Sequence, residues 1–150
     1  MVVVGALFVV ACSGGGSGSD ASSGSPSTLP GVLVPASATS ATVATTVNGQ
    51  PHVVDVGRDV LATVLPLLVR REFAPIEPLA SYGLDHPRAI ITFTIPGGAP
   101  VVLQIGDEEF DQSASYVLRN GDSSIWLVLK ESLDPLLDAS AVNEASGAPG

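Results

Sequence analysis

Cationic side chains are scarce. The chain has 6 lysines and arginines against 15 aspartates and glutamates, a net charge of -9. Nucleic-acid binding is thereby excluded, because a phosphate backbone demands clustered cations, and the same balance argues against adsorption of the folded part to anionic lipid headgroups. Cysteine occurs once, so no internal disulfide can form. Histidine occurs only as His52 and His86, with no second cysteine to complete a zinc ligand set. The apolar run from Val2 to Val10 is too short to cross a bilayer.

That run has the length of a signal-peptide core, and it ends in Val9-Val10-Ala11-Cys12. The four residues resemble the bacterial lipobox, whose cysteine is lipidated and becomes the first residue of the mature protein. Residues 1–12 are accordingly expected to be a lipoprotein signal peptide ending at Cys12. A disordered tether rich in Gly, Ser, Ala and Pro follows over 13–41, flexible enough to hold a domain off a membrane. A single α+β domain is expected over 42–138 and a disordered tail over 139–150. The expected location is extracytoplasmic, with the chain held at a bacterial membrane by its lipid.

Within the domain, Thr42 to Val47 alternates ahead of Asn48-Gly49 and reads as a short edge strand. Val56, Val60, Val64 and Leu67 form a helical stripe, so Val53 to Val69 reads as an amphipathic helix that ends or kinks at Pro66. Phe73 and Ile76 are expected to return to the core. Pro78 to Tyr82 reads as a helical turn closed by Gly83 in the left-handed conformation, with Leu84 packing back onto it. Strands follow at Arg88–Ile95, Val101–Ile105, Ser115–Arg119 and Ser124–Leu129, and Asp134-Pro135 opens a short helix to Asp138. The fold expected is α+β: a four-stranded antiparallel meander of two hairpins, preceded by the amphipathic helix and followed by the short C-terminal one.

Tyr82-Gly83-Leu84-Asp85, Pro87, the step Ile105-Gly106-Asp107, then Ser115-Tyr116-Val117 and Ile125-Trp126-Leu127-Val128 together resemble the bacterial domain-of-unknown-function family 4340, over about Asp55 to Asp138. The resemblance implies a structural role for Tyr82, Gly83, Leu84, Asp85, Pro87, Ile105, Gly106 and Asp107. It implies an envelope protein, lipid-anchored or membrane-attached, of a kind found beside transport-system components. It supplies no catalytic residues.

The residues themselves offer little chemistry. Ser81, Asp85 and His86 lie close together, but no nucleophile elbow accompanies them, and Asp85-His86-Pro87 reads as the turn that steers the chain into a strand. Asp107, Glu109 and Asp111 have the spacing that opens an EF-hand, yet Gln112 stands where glycine should follow and no glutamate closes the loop. Tyr116 and Trp126 are candidates for a ligand surface, or else a cross-strand packing pair. No catalytic residue, metal or cofactor is expected. The function expected is a non-enzymatic protein-interaction module, attached to the membrane through Cys12 and facing an envelope or transporter protein. The alternative is a module binding a small ligand, a glycan or Ca²⁺.

Overall fold

The computed structural model describes residues 31–145. Within them the strands are β1 (Val32–Val34), β2 (Ser40–Val47), β3 (Gln50–Val56), β4 (Leu67–Leu68), β5 (Arg71–Phe73), β6 (Ala89–Thr94), β7 (Val101–Glu108), β8 (Ala114–Arg119) and β9 (Ile125–Leu129). The helices are α1 (Arg58–Val64) and α2 (Lys130–Ala145). Cys12, the signal peptide and most of the tether lie outside the described residues.

The expected four-stranded meander is corrected. Seven strands form one antiparallel sheet in the order β3-β2-β6-β7-β8-β9-β5, and β1 pairs with β4 separately. In the run β6 to β9 neighbours in sequence are neighbours in space. To it the chain adds the β2–β3 hairpin on one flank and the short strand β5 on the other. β2 is therefore an interior strand, paired to β3 and β6, and not the edge that its position in the sequence suggests.

The expected helix over Val53 to Val69 is also corrected. Asn48 and Gly49 both have positive φ, 51° and 79°, which is what a two-residue hairpin loop of matching twist requires. The chain leaves that turn as β3, with Val54 and Val56 buried while Val53 and Asp55 face outward. Only Arg58 to Val64 is helical, and it stops at Leu65, directly before Pro66. The stripe Val56, Val60, Val64 misled because Val56 satisfies a period of two as well as one of 3.6.

Two further boundaries move. β1 and the first residues of β2 fall inside the stretch expected to be tether. α2 begins directly after β9 and runs through Pro135 to Ala145, well beyond Asp138 and into the expected tail. The Asp134-Pro135 pair is thus interior to a helix rather than the start of one.

Both helices lie on one face of the sheet. Leu61 and Val64 of α1, with Leu133 and Leu136 of α2, close over Ala41, Val43, Ile91, Phe93, Leu103, Ile105, Val117 and Val128. Burial of each large member stabilises by about 1.5–3 kcal/mol. On the opposite face a second cluster covers only the β8-β9-β5 half. There Tyr82, Leu84 and Ile125 are buried, with Phe73, Tyr116 and Leu118 packed against them.

Candidate functional site

Two stretches that carry the resemblance, residues 82–85 and 105–107, meet in space. A 3₁₀ turn at Leu79–Tyr82 ends at Gly83, whose φ of 67° is left-handed. The Leu84 amide then donates to the Leu79 carbonyl at 3.0 Å, and Gly83 donates to Ala80 at 3.1 Å, as in a helix end closed by glycine. This turn lies across β7 at Gly106. A side chain there would collide with the Tyr82 carbonyl and with the Leu84 side chain. Gly83 in turn sits against Asp107, with no room for a Cβ. Tyr82, Gly83, Leu84, Gly106 and Asp107 thus form one packing joint between loop and sheet, while the Ile105 side chain points to the main core.

The joint positions a cleft. Tyr82 is held over the outer face of β8, its ring centroid 5.1 Å from that of Tyr116, and Phe73 of β5 completes the group at 5.9 Å from Tyr82 and 6.2 Å from Tyr116. These edge-on arrangements are those that aromatic quadrupoles favour. The Tyr82 hydroxyl accepts a hydrogen bond from the Ile76 amide at 3.3 Å, which ties the loop to the ring. Beside the rings opens a cleft of about 310 Å³ lined by Arg71, Ala74, Ile76, Glu109 and Leu127 as well. The Arg71 guanidinium stands 5.8 Å above the Phe73 ring. Burial, with the Glu109 carboxylate as a second cause, pushes the Tyr116 hydroxyl above the usual phenol range.

Ile76 does not return to the core as expected. It is 90% exposed, and Phe110 in the β7–β8 loop is fully exposed. Prolines at 75 and 78 bracket Ile76 in a segment without helix or strand, and neither has an N–H to give to a ladder. Phe73 is half-buried, as a wall of the cleft.

Charged groups gather at the same end of the sheet. Arg88 donates to Glu108 at 3.0 Å and to the fully buried Ser115 hydroxyl at 2.7 Å, and the Lys130 ammonium reaches the same Glu108 oxygen at 2.9 Å. The hydrogen bond from Lys130, then that from Arg88, holds the Glu108 carboxyl below its ordinary range, and the same bond raises Lys130. Arg70 donates to Ser113 at 2.7 Å and to Glu109 at 3.5 Å. These groups tie β6, β7, β8 and α2 together, and sequence reading did not single them out.

The remaining candidates separate. Tyr116 pairs with Leu127, and Trp126 pairs with Val117, so Tyr116 and Trp126 lie on opposite faces of the sheet and share no surface. Trp126 packs against the main core, with its Nε1 buried and without a partner among the described residues. Asp85 lies 3.6 Å from an exposed His86, while the Ser81 amide donates to the Pro78 carbonyl. In the acidic loop Asp111 accepts from the Ser113 hydroxyl and amide, which lowers its carboxyl below the ordinary range. Glu109 faces Arg70, and Asp107 abuts Gly83. Among the described residues no cluster of three His, Cys, Asp or Glu is placed to hold a metal ion. Pro87 is half-buried where the chain enters β6.

The family Domain of unknown function (DUF4340) matches residues 62–143. The chain belongs to that family. No curated protein and no solved structure matches the chain. The matched span contains the motif joint and the whole aromatic cleft, while the β2–β3 hairpin lies ahead of it. Among the described residues no helix is long and apolar enough to cross a membrane.

Proposed function

We propose that this chain is a lipid-anchored protein of the bacterial envelope that works without catalysis, by holding another envelope protein, with a membrane transport assembly as the candidate. The observation that carries the reading is the cleft walled by Phe73, Tyr82 and Tyr116, with Ile76 90% exposed on its lining. Ile76 and the aromatic recess make one contiguous apolar surface, the kind that marks an interaction site, and aromatic residues with arginine, here Arg71, are the types enriched where interfaces draw their energy. The charged side chains nearby are engaged with one another, as Arg88, Glu108 and Lys130 are. In this reading Cys12 supplies the anchor and the stretch after it the reach.

Two measurements test the proposal. Metabolic labelling with a palmitate analogue should mark the native chain and not a Cys12→Ser variant. A photocrosslinker at Ile76 should capture a membrane protein in cells, and one at the exposed turn residue Asn120 should not. Equal capture from both positions, or labelling that survives Cys12→Ser, overturns it.

The same cleft supports a second reading, in which a small ligand or glycan ring stacks on Tyr116. Its volume of about 310 Å³ falls at the lower end of small-molecule sites. A saccharide that raises the unfolding temperature of the native chain and not of Tyr116→Ala would favour this reading over the first. Ca²⁺ has weaker support as the ligand, because Glu109 and Asp111 face Arg70 and Ser113.

A further inference from the structure

β3 is an edge strand of the seven-stranded sheet, and the hairpin geometry determines which of its backbone groups face outward. A two-residue loop closes on a pair, Val47 and Gln50, that exchanges both hydrogen bonds, and such pairs then alternate along the ladder. In the observed register Gln50, His52, Val54 and Val56 are the residues bonded to β2. Pro51, Val53 and Asp55 direct their backbone groups away from the sheet. Pro51, which has no N–H, therefore stands where the β2 ladder needs none. By this register Val53 and Asp55 direct an amide and a carbonyl each to the open side of the sheet.

An open edge of this kind is a template for another strand. Of the usual protections β3 has Pro51 and one acidic residue, Asp55, but no lysine. Its Val53 side chain is 63% exposed on the outer face and lies in a cross-strand row with Ala44 and Ile90, itself 37% exposed. Among the described residues no element covers that row at the β3 end, whereas Phe73 and Ile125, in the same row at the β5 end, lie in the second cluster.

We propose that β3 pairs with β3 of a second copy of this chain, antiparallel about a two-fold axis at Val53, joining the two sheets into one. The strand is self-complementary in this register. Each Val53 donates to and accepts from the other, and Asp55 faces Pro51 of the second copy, whose carbonyl accepts the Asp55 amide. No like charges oppose one another, as an isologous contact requires. The paired Val53 side chains join the two exposed rows into one apolar stripe. His52 and Val54, whose backbone groups are used by β2, take no part. The hairpin that forms this edge precedes the span matched by the family, so the proposed contact leaves the aromatic cleft free.

The test is sedimentation velocity on the full-length chain carrying Cys12→Ser, so that no lipid contributes to association, with hydrogen exchange at low and high protein concentration. The native edge should give a dimer that dissociates on dilution. The Val53 and Asp55 amides should be protected only at high concentration, while those of His52 and Val54 are protected throughout. Val53→Pro removes the outward amide and leaves the β2 ladder bonded, and Val53→Lys places a charge against its own copy; each should remove the faster-sedimenting species. A second substitution guards against misfolding of either one, and retained protection in β6 verifies the fold. A native chain that is monomeric at every concentration overturns the proposal, as does a dimer in which the Val53 and Asp55 amides exchange freely.

Discussion

The carbonyl of Tyr82 occupies the space that a side chain on Gly106 would need. That relationship couples two separated pieces of sequence, one in a loop and one in a strand: each is shaped to receive the other.

Gly106→Ala should therefore destabilise the fold by about 3 kcal/mol, because the added methyl meets backbone that cannot move without shifting the 3₁₀ turn. Gly83→Ala should act in the same direction, combining a left-handed φ with a collision at Asp107. Gly57→Ala, at an extended position with open space around it, should stay within about 1 kcal/mol of the native chain. Thermal unfolding of the three variants gives the ranking, and equal midpoints would break the account of the joint.

Glu108 sits between Arg88 and Lys130, and its lowered carboxyl sets the sign of a pH effect. A group whose folded pKa is depressed contributes stability that is present above its unfolded value and is lost as pH falls through the folded one. Lys130, raised by the same contact, contributes below its unfolded value and loses that contribution as pH rises through the folded one. The difference in melting temperature between the native chain and Glu108→Gln should be level across neutral pH. It should shrink on acidification below the ordinary carboxylate range and again at strongly alkaline pH. A difference that grows on acidification would contradict the ion-pair assignment.

Much of the strand structure was legible where turn chemistry is local. Asn48-Gly49, Pro96-Gly97-Gly98 and Asn120-Gly121 lie at hairpin loops, and the αL closure at Gly83 follows from the order of residues around it. What was not legible depends on distance along the chain. β5 pairs with β9 and β1 with β4, and neither pairing leaves a signal in the short strands that make it. The one-residue offset that puts Tyr116 opposite Leu127, with Trp126 on the other face, is likewise invisible to periodicity, because a slip of one exchanges the faces of a strand. The cleft was missed for the same reason: Phe73, Tyr82 and Tyr116 come from three separate segments.

Tyr116 provides a spectroscopic probe of that cleft. The chain has 2 tyrosines, so Tyr82→Phe leaves Tyr116 alone, and an alkaline absorbance titration of this variant should place its midpoint above the free-phenol value of about 10. Burial is the first cause and the Glu109 carboxylate the second. Adding Glu109→Gln should lower the midpoint without abolishing the shift. A midpoint at the free value in the single-tyrosine chain would mean that the ring is not buried.

Where α2 begins decides what the C-terminal segment contributes. The first amides of a helix have no carbonyl to bond, so a helix opening at Asp134 would leave the amides of Asp134, Leu136 and Leu137 to exchange with solvent. In a helix beginning at Lys130, Asp134 donates to Lys130 and Leu136 to Ser132, and both should be protected to nearly the extent of the central strands. The same start places Leu133 and Leu136 in the core against the sheet. Leu136→Ala should then cost about 3 kcal/mol, within the range for emptying a fully buried leucine site, while the exposed Asp138→Ala should stay within about 0.5 kcal/mol. Fast exchange at Leu136, together with a small effect of its truncation, would detach this segment from the core and leave the helical face of the sheet uncovered beyond α1.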